Sequence, residues 1–149
     1  MATLSSTSFI VFGVSRGLSP FAPAAGAGYS EFVRVVARST LHGFVRNHVT
    51  GGQQAVVKAH LDGWYQLTVK ATWRNSAELK AQFGSASILT SERVVFNIKG
   101  NDYRLIVTVN YDYQAVRILW LGTHSEYDKI DARKVEYDKG RYADSTNSN

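Results

Sequence analysis

The stretch WLGTHSEYDKID, residues 120–131, sets His124, Glu126, Tyr127, Asp128 and Lys129 within six positions, directly after an apolar run. An imidazole titrates near neutrality, so His124 can take up or release a proton at physiological pH. Tyr127, three residues on, can orient a substrate, donate a proton or stack on a nucleobase. Upstream, Arg93, Lys99 and Arg104 supply cations, and an arginine fork matches the oxygens of a phosphate. Cleavage of an RNA phosphodiester uses this set of groups. The 2′-hydroxyl must lose its proton, the phosphorane's charge must be stabilised, and the leaving 5′-oxygen must gain a proton. With the substrate's own hydroxyl as nucleophile, the reaction needs no metal and no other cofactor.

The same residues have plainer uses. A single histidine after a strand is more often a surface or capping residue than a catalyst. Arg93, Lys99 and Arg104 could be solvated charges on an antiparallel sheet. SEYDKIDARKVEYD could be a solvated helix, since Glu126 with Lys129 and Asp131 with Lys134 have the i,i+3 spacing of weak ion pairs. Salt bridging of that kind leaves His124 and Tyr127 without a role. His42, His48 and His60 fit no metal-ligand spacing and are expected to be structural or surface residues, while Trp64, Trp73 and Trp120 are expected in the core.

The elements that must position these groups follow from periodicity. VRVVA, residues 33–37, is β-branched and predicts a strand. Ser39 or Thr40 can cap a short helix over LHGFVRNHV, which Gly51 and Gly52 would break. QQAVVKAHLDGWYQLTVKA recurs at helical spacing, and NSAELKAQF is a third helical piece with a cap at Asn75 or Ser76 ahead of Glu78. After residue 90 the period becomes that of strands: RVVFNIKG, DYRLIVTVNY and AVRILWLG, joined by turns at KGND and NYDYQ. The order predicts an α+β domain, with N-terminal helices packed on one face of a small antiparallel sheet. Alternation puts Val94, Phe96, Ile98, Leu105, Val107 and Val109 towards the helices. Arg93, Lys99 and Arg104 then share the opposite, open face, and His124 arrives at its rim.

Bulk properties bound the function. The 149 residues suit one domain, and the absence of cysteine excludes disulfides, thiolate metal sites and cysteine nucleophiles. It also suits a reducing compartment such as a bacterial cytoplasm. The net charge of +5 and pI of about 9.6 fit either a polyanionic partner or plain solubility. No run approaches the ~20 apolar residues of a membrane span. Residues 1–28 contain no acid and hold both prolines. They lack the basic start of a secretory signal, resemble an organelle transit peptide faintly, and are best taken as part of a disordered or misassigned extension over 1–32. The folded domain is expected over 33–142, with a disordered polar tail over 143–149.

Three blocks, WRNSAELKAQFGSASIL, RVVFNIKGNDYRLIVTVNY and LGTHSEYDKIDA, resemble the HigB-type toxins of bacterial type II toxin–antitoxin systems, within the RelE/ParE superfamily. The resemblance spans roughly residues 33–137. It implies a RelE-like, microbial-RNase-like fold and an endoribonuclease that enters the ribosomal A site and cleaves translated mRNA without metal. It implies a HigA-like helix-turn-helix antitoxin as partner, with operator DNA engaged only through that antitoxin. By position, Arg104 corresponds to the phosphate-contacting arginine, His124 to the basic or imidazole residue after the glycine that ends the next strand, and Tyr127 and Asp128 to C-terminal active-site positions. The resemblance also implies Lys99 as a further phosphate contact. The ParE branch of the same superfamily poisons DNA gyrase instead, and a decayed RNA-binding domain would keep the same pattern, so fold alone does not choose.

Overall fold

The computed structural model describes residues 32–143. The expected extension and tail lie outside the described residues, apart from Phe32 and Ala143. Among the described residues the chain runs as β1 (Arg34–Val36), α1 (Ser39–His48), α2 (Gly51–Val69), α3 (Ser76–Gln82), β2 (Ser87–Ile88), β3 (Arg93–Ile98), β4 (Tyr103–Asn110), β5 (Ala115–Thr123), α4 (His124–Tyr127) and α5 (Lys139–Tyr142). None of these helices is long and apolar enough to cross a membrane.

The sheet order is β1-β5-β4-β3-β2. Strands β3, β4 and β5 form the expected antiparallel meander. The whole sheet is mixed, because β1 joins the outer edge of β5 in the parallel sense, Arg34 opposite Ala115 and Val36 opposite Arg117. A purely antiparallel sheet was the expectation; periodicity identifies a strand but not the direction in which it docks.

The helical boundaries also refine that reading. Neither Ser39 nor Thr40 caps α1; Arg38 takes the N-cap position without a side-chain bond. Thr40 is fully buried, and its hydroxyl donates to the Tyr137 hydroxyl at 3.1 Å. The break between α1 and α2 falls at Val49 and Thr50, and the two glycines open α2. Asn75 does cap α3, accepting the Glu78 N–H at 3.0 Å.

Alternation holds for the helix-facing side. Val94, Phe96, Ile98, Leu105, Val107 and Val109 pack with Leu41, Phe44, Leu61 and Trp64 in the main core. The other face is not open. The segment after β5 folds back across it, laying Tyr127, Ile130, Ala132 and Val135 over Val95, Ile106, Leu119 and Trp120. A bulge makes this second core possible: Ile106 pairs with Trp120 but Val107 with Ile118, so Leu119 is inserted and two consecutive large side chains point to the same face.

Strand β1 pairs only the first three residues of β5, which leaves the edge of β5 bare beyond Arg117. Leu121 there is satisfied by side chains instead. Its N–H donates to the Tyr142 hydroxyl at 2.8 Å, and its carbonyl accepts from that hydroxyl at 3.2 Å and from Arg141 Nη2 at 3.1 Å.

Candidate active site at the sheet rim

Three chain segments converge where β3 ends, β4 begins and β5 ends. The turn between β3 and β4 is tight, with Lys99 and Gly100 both at positive φ, 54° and 64°. It turns Lys99 back on Asp102, Nζ to Oδ2 at 2.8 Å. That contact holds the Asp102 carboxyl below its usual range and raises the lysine, through the hydrogen bond first and the charge attraction second. The Asp102 carbonyl accepts the His124 N–H at 2.9 Å, which ties the turn to the first residue of α4. Register adds the next link: Arg104 stands opposite Gly122, and Tyr103 opposite Thr123.

Helix α4 is one turn long and is held by a reciprocal cap. Thr123 Oγ1 accepts the Glu126 N–H at 3.1 Å, and Glu126 Oε1 accepts the Thr123 N–H at 2.9 Å. With the turn fixed, His124 and Asp128 meet at i,i+4, Nε2 to Oδ2 at 3.4 Å. Their side chains are 51% and 60% exposed, so the imidazole is oriented yet open to a ligand. Tyr127 leans on Trp120, ring centroids 6.3 Å apart, and the Arg104 guanidinium carbon lies 5.8 Å from the Tyr127 centroid. Arg104 Nη1 donates to the Asn101 carbonyl at 3.0 Å. A guanidinium has five N–H donors, so others remain for an anion.

Five of the six sequence candidates thus share one rim: His124, Arg104, Tyr127, Lys99 and Asp128. Arg93 does not join them. It starts β3, at the far end of the sheet, and its side chain is only 13% exposed. Its Nη1 donates to the carbonyls of Ala132 at 3.0 Å and Val135 at 2.8 Å, so it fastens the returning segment instead of facing solvent. The reason lies in the covered second face, which alternation could not reveal.

Two residues outside the sequence candidates complete the rim. Glu126 carries the cap, and its Thr-x-x-Glu spacing in THSE was a readable signal. Arg141 donates from Nη2 to Glu126 Oε1 at 3.1 Å; no local pattern links positions fifteen apart. Burial alone would raise the Glu126 carboxyl, but the Thr123 N–H and Arg141 outweigh it and hold the carboxyl below its usual range. The candidate helix over 125–138 is absent: one turn is followed by bends, and Glu126 pairs with Arg141 rather than Lys129.

A groove of about 490 Å³ runs beside Tyr127, with Leu89, Ile130 and Ala132 as walls and Asp128 and Asp131 at its edge. A larger one, about 690 Å³, lies at the opposite end of the sheet around Thr108, Asn110 and Arg117. Size favours the second, but Arg74 there is paired with Glu78, Glu92 and Asp112 add two acids to its lining, and it contains no imidazole. The smaller groove is lined by Tyr127 and Asp128 of the rim, which makes it the better candidate.

Residues 57–130 match the family of HigB toxins, described as the RelE-like toxic component of a toxin–antitoxin system. The domain belongs to the HigB toxin family. The matched span runs from inside α2 to just past α4, and includes every sequence candidate; Arg141 lies beyond it. The α+β architecture is that expected of a RelE-like fold, and membership implies an antitoxin partner for this HigB domain. No curated protein matches the chain.

Proposed function

We propose that this HigB domain is a ribosome-dependent endoribonuclease that cleaves translated mRNA by attack of the 2′-hydroxyl, without a metal. One observation carries the reading: a half-exposed imidazole, oriented by Asp128, shares a rim with Arg104 and Lys99. In this scheme Arg104 and Lys99 hold the scissile phosphate and stabilise the charge that develops on it. His124 transfers a proton to or from the reacting oxygens, with Asp128 fixing the ring. Tyr127 orients the phosphate or stacks on a flanking base, for which the groove walled by Leu89 and Ile130 leaves room.

The partners follow from the same reading. Messenger RNA in the ribosomal A site is the substrate, and a HigA-like helix-turn-helix antitoxin neutralises the toxin and carries the pair to operator DNA. The site of action is then the bacterial cytoplasm. A poison of a protein target such as DNA gyrase has no use for an oriented imidazole beside two cations.

The test is induction of wild type and His124→Ala in a bacterial host, with 5′ ends of a reporter mRNA mapped. New 5′-hydroxyl ends inside the translated frame are expected from wild type. His124→Ala should lower cleavage by about 10²–10⁴-fold while circular dichroism shows an unchanged fold. Growth arrest without such ends, together with accumulating linear DNA, would move the function to gyrase. No arrest from wild type would leave a decayed domain.

A further inference from the structure

Helix α4 is a single turn, too short to hold its own shape in water. Its order must come from outside: the Asp102 carbonyl holds the His124 N–H, Tyr127 leans on Trp120, and two further contacts meet at one carboxylate. Glu126 Oε1 accepts both the Thr123 N–H, which closes the cap, and Arg141 Nη2. Arg141 is itself immobilised. Its Nε and Nη2 reach the Leu121 carbonyl at 3.3 and 3.1 Å, and its guanidinium carbon lies 5.2 Å from the Trp120 ring centroid. His48 Nε2 bonds the Arg141 carbonyl at 2.8 Å, which anchors the residue to α1. The side chain is 18% exposed. Gly122 leaves room for both Arg141 and Trp120: an added Cβ would run into the Trp120 ring and come 2.9 Å from Arg141 Nη2.

We infer that Arg141 is a positioning residue of the proposed active site: it clamps the Glu126 carboxylate that caps α4, and so fixes the direction in which His124, Tyr127 and Asp128 leave the backbone. The inference rests on the ribonuclease reading above. It goes beyond a fastening of the β5 edge, because that task needs only the Leu121 carbonyl, whereas the clamp runs through Glu126. A lysine at this position could keep the charge but not bridge both oxygens with a planar fork.

The experiment uses the full chain as wild type, Arg141→Gln, Arg141→Lys, Glu126→Ala and the Arg141→Gln/Glu126→Ala double variant. Cleavage of ribosome-bound mRNA and amide hydrogen exchange are both measured. Arg141→Gln should lower kcat roughly 10²-fold with KM unchanged, and Arg141→Lys should recover part of the loss. In the Glu126→Ala background, Arg141→Gln should cost nothing further, since both act through one carboxylate. Exchange should quicken at the Glu126 and Asp128 amides, which bond Thr123 Oγ1 and the His124 carbonyl, while Ile118 in β5 stays protected. Unchanged exchange at Glu126 and Asp128 overturns the clamp. So does loosening that includes Ile118, a kcat loss that adds to that of Glu126→Ala, or a KM change at constant kcat. If wild type leaves translated mRNA intact, the ribonuclease reading falls, and the exchange measurement alone decides the clamp.

Discussion

The two faces of the sheet are closed in different ways. Three helices cover one face over a continuous apolar core that includes Phe44, Leu61, Phe96, Leu105 and Ile118. The other is covered by an irregular segment over four buried residues, Val95, Ile106, Leu119 and Trp120, and fastened by polar bonds from Arg93 and Arg133. The candidate site groups His124, Arg104 and Tyr127 lie at the end of this second, thinner layer. Stability and chemistry are therefore separable: the helix face should decide whether the domain folds, and the strapped face whether the rim groups are held together.

The sharpest way to break that contrast is Phe96→Ala. The ring is buried between Trp64 and Phe83, at centroid distances of 5.4 and 4.9 Å. Its loss should destabilise the domain by about 3–5 kcal/mol, through lost burial and an unfilled cavity. A urea midpoint that barely moves would show that the helix face does not dominate stability.

Arg93→Met probes the other side. It keeps most of the apolar stem and removes two donors from the Ala132 and Val135 carbonyls. A loss of about 2 kcal/mol is expected, with early proteolytic cutting of the returning segment and a still-folded sheet. If Arg93 instead contacted RNA, binding would fall while the urea midpoint held.

Arg93 also marks the limit of what the sequence could show. Strand alternation sorted the helix-facing residues correctly and brought Lys99, Arg104 and His124 to one rim, because those placements depend on local period and on turns of known length. It could not foresee that a polar stretch such as KIDARKVEYD would cover the second face. That stretch has only Ile130, Ala132 and Val135 as apolar contacts, spread without a regular period. The parallel docking of β1 and the reach of Arg141 to Glu126 were hidden for the same reason: each is a long-range contact with no local spacing.

A smaller effect comes from Glu126, which belongs to the strapped face. Its carboxyl is held low in the folded state despite burial that would raise it, by Thr123 and Arg141. A depressed folded value means that the carboxylate stabilises above the unfolded value and loses that contribution as pH falls through the folded one. Denaturation across acid pH should therefore show wild type and Glu126→Gln converging as pH falls. A gap that stays constant in acid would mean that the carboxylate's charge does not contribute to holding α4.

The smallest expected effect is on the solvent side of the helices, at Asp62. Lys58 Nζ lies 2.7 Å from one of its oxygens and His42 Nε2 lies 3.5 Å from the other. The Lys58 hydrogen bond lowers the carboxyl most, opposed by slight burial and aided by His42. Lys58 is half exposed and Asp62 more than a third, so water screens the pair and Asp62→Asn should cost only about 0.2–1 kcal/mol. The sign is that of a depressed carboxylate: whatever the pair contributes is present near neutrality and disappears in acid. Its value lies in the contrast with Glu126. Both are ion-paired carboxylates with lowered titration, but only Glu126 caps the turn that carries His124. Asp62→Asn should therefore leave cleavage of translated mRNA at the wild-type rate. A loss of activity from this helix-face substitution would mean that the two faces are coupled, and that chemistry and folding are not divided between them.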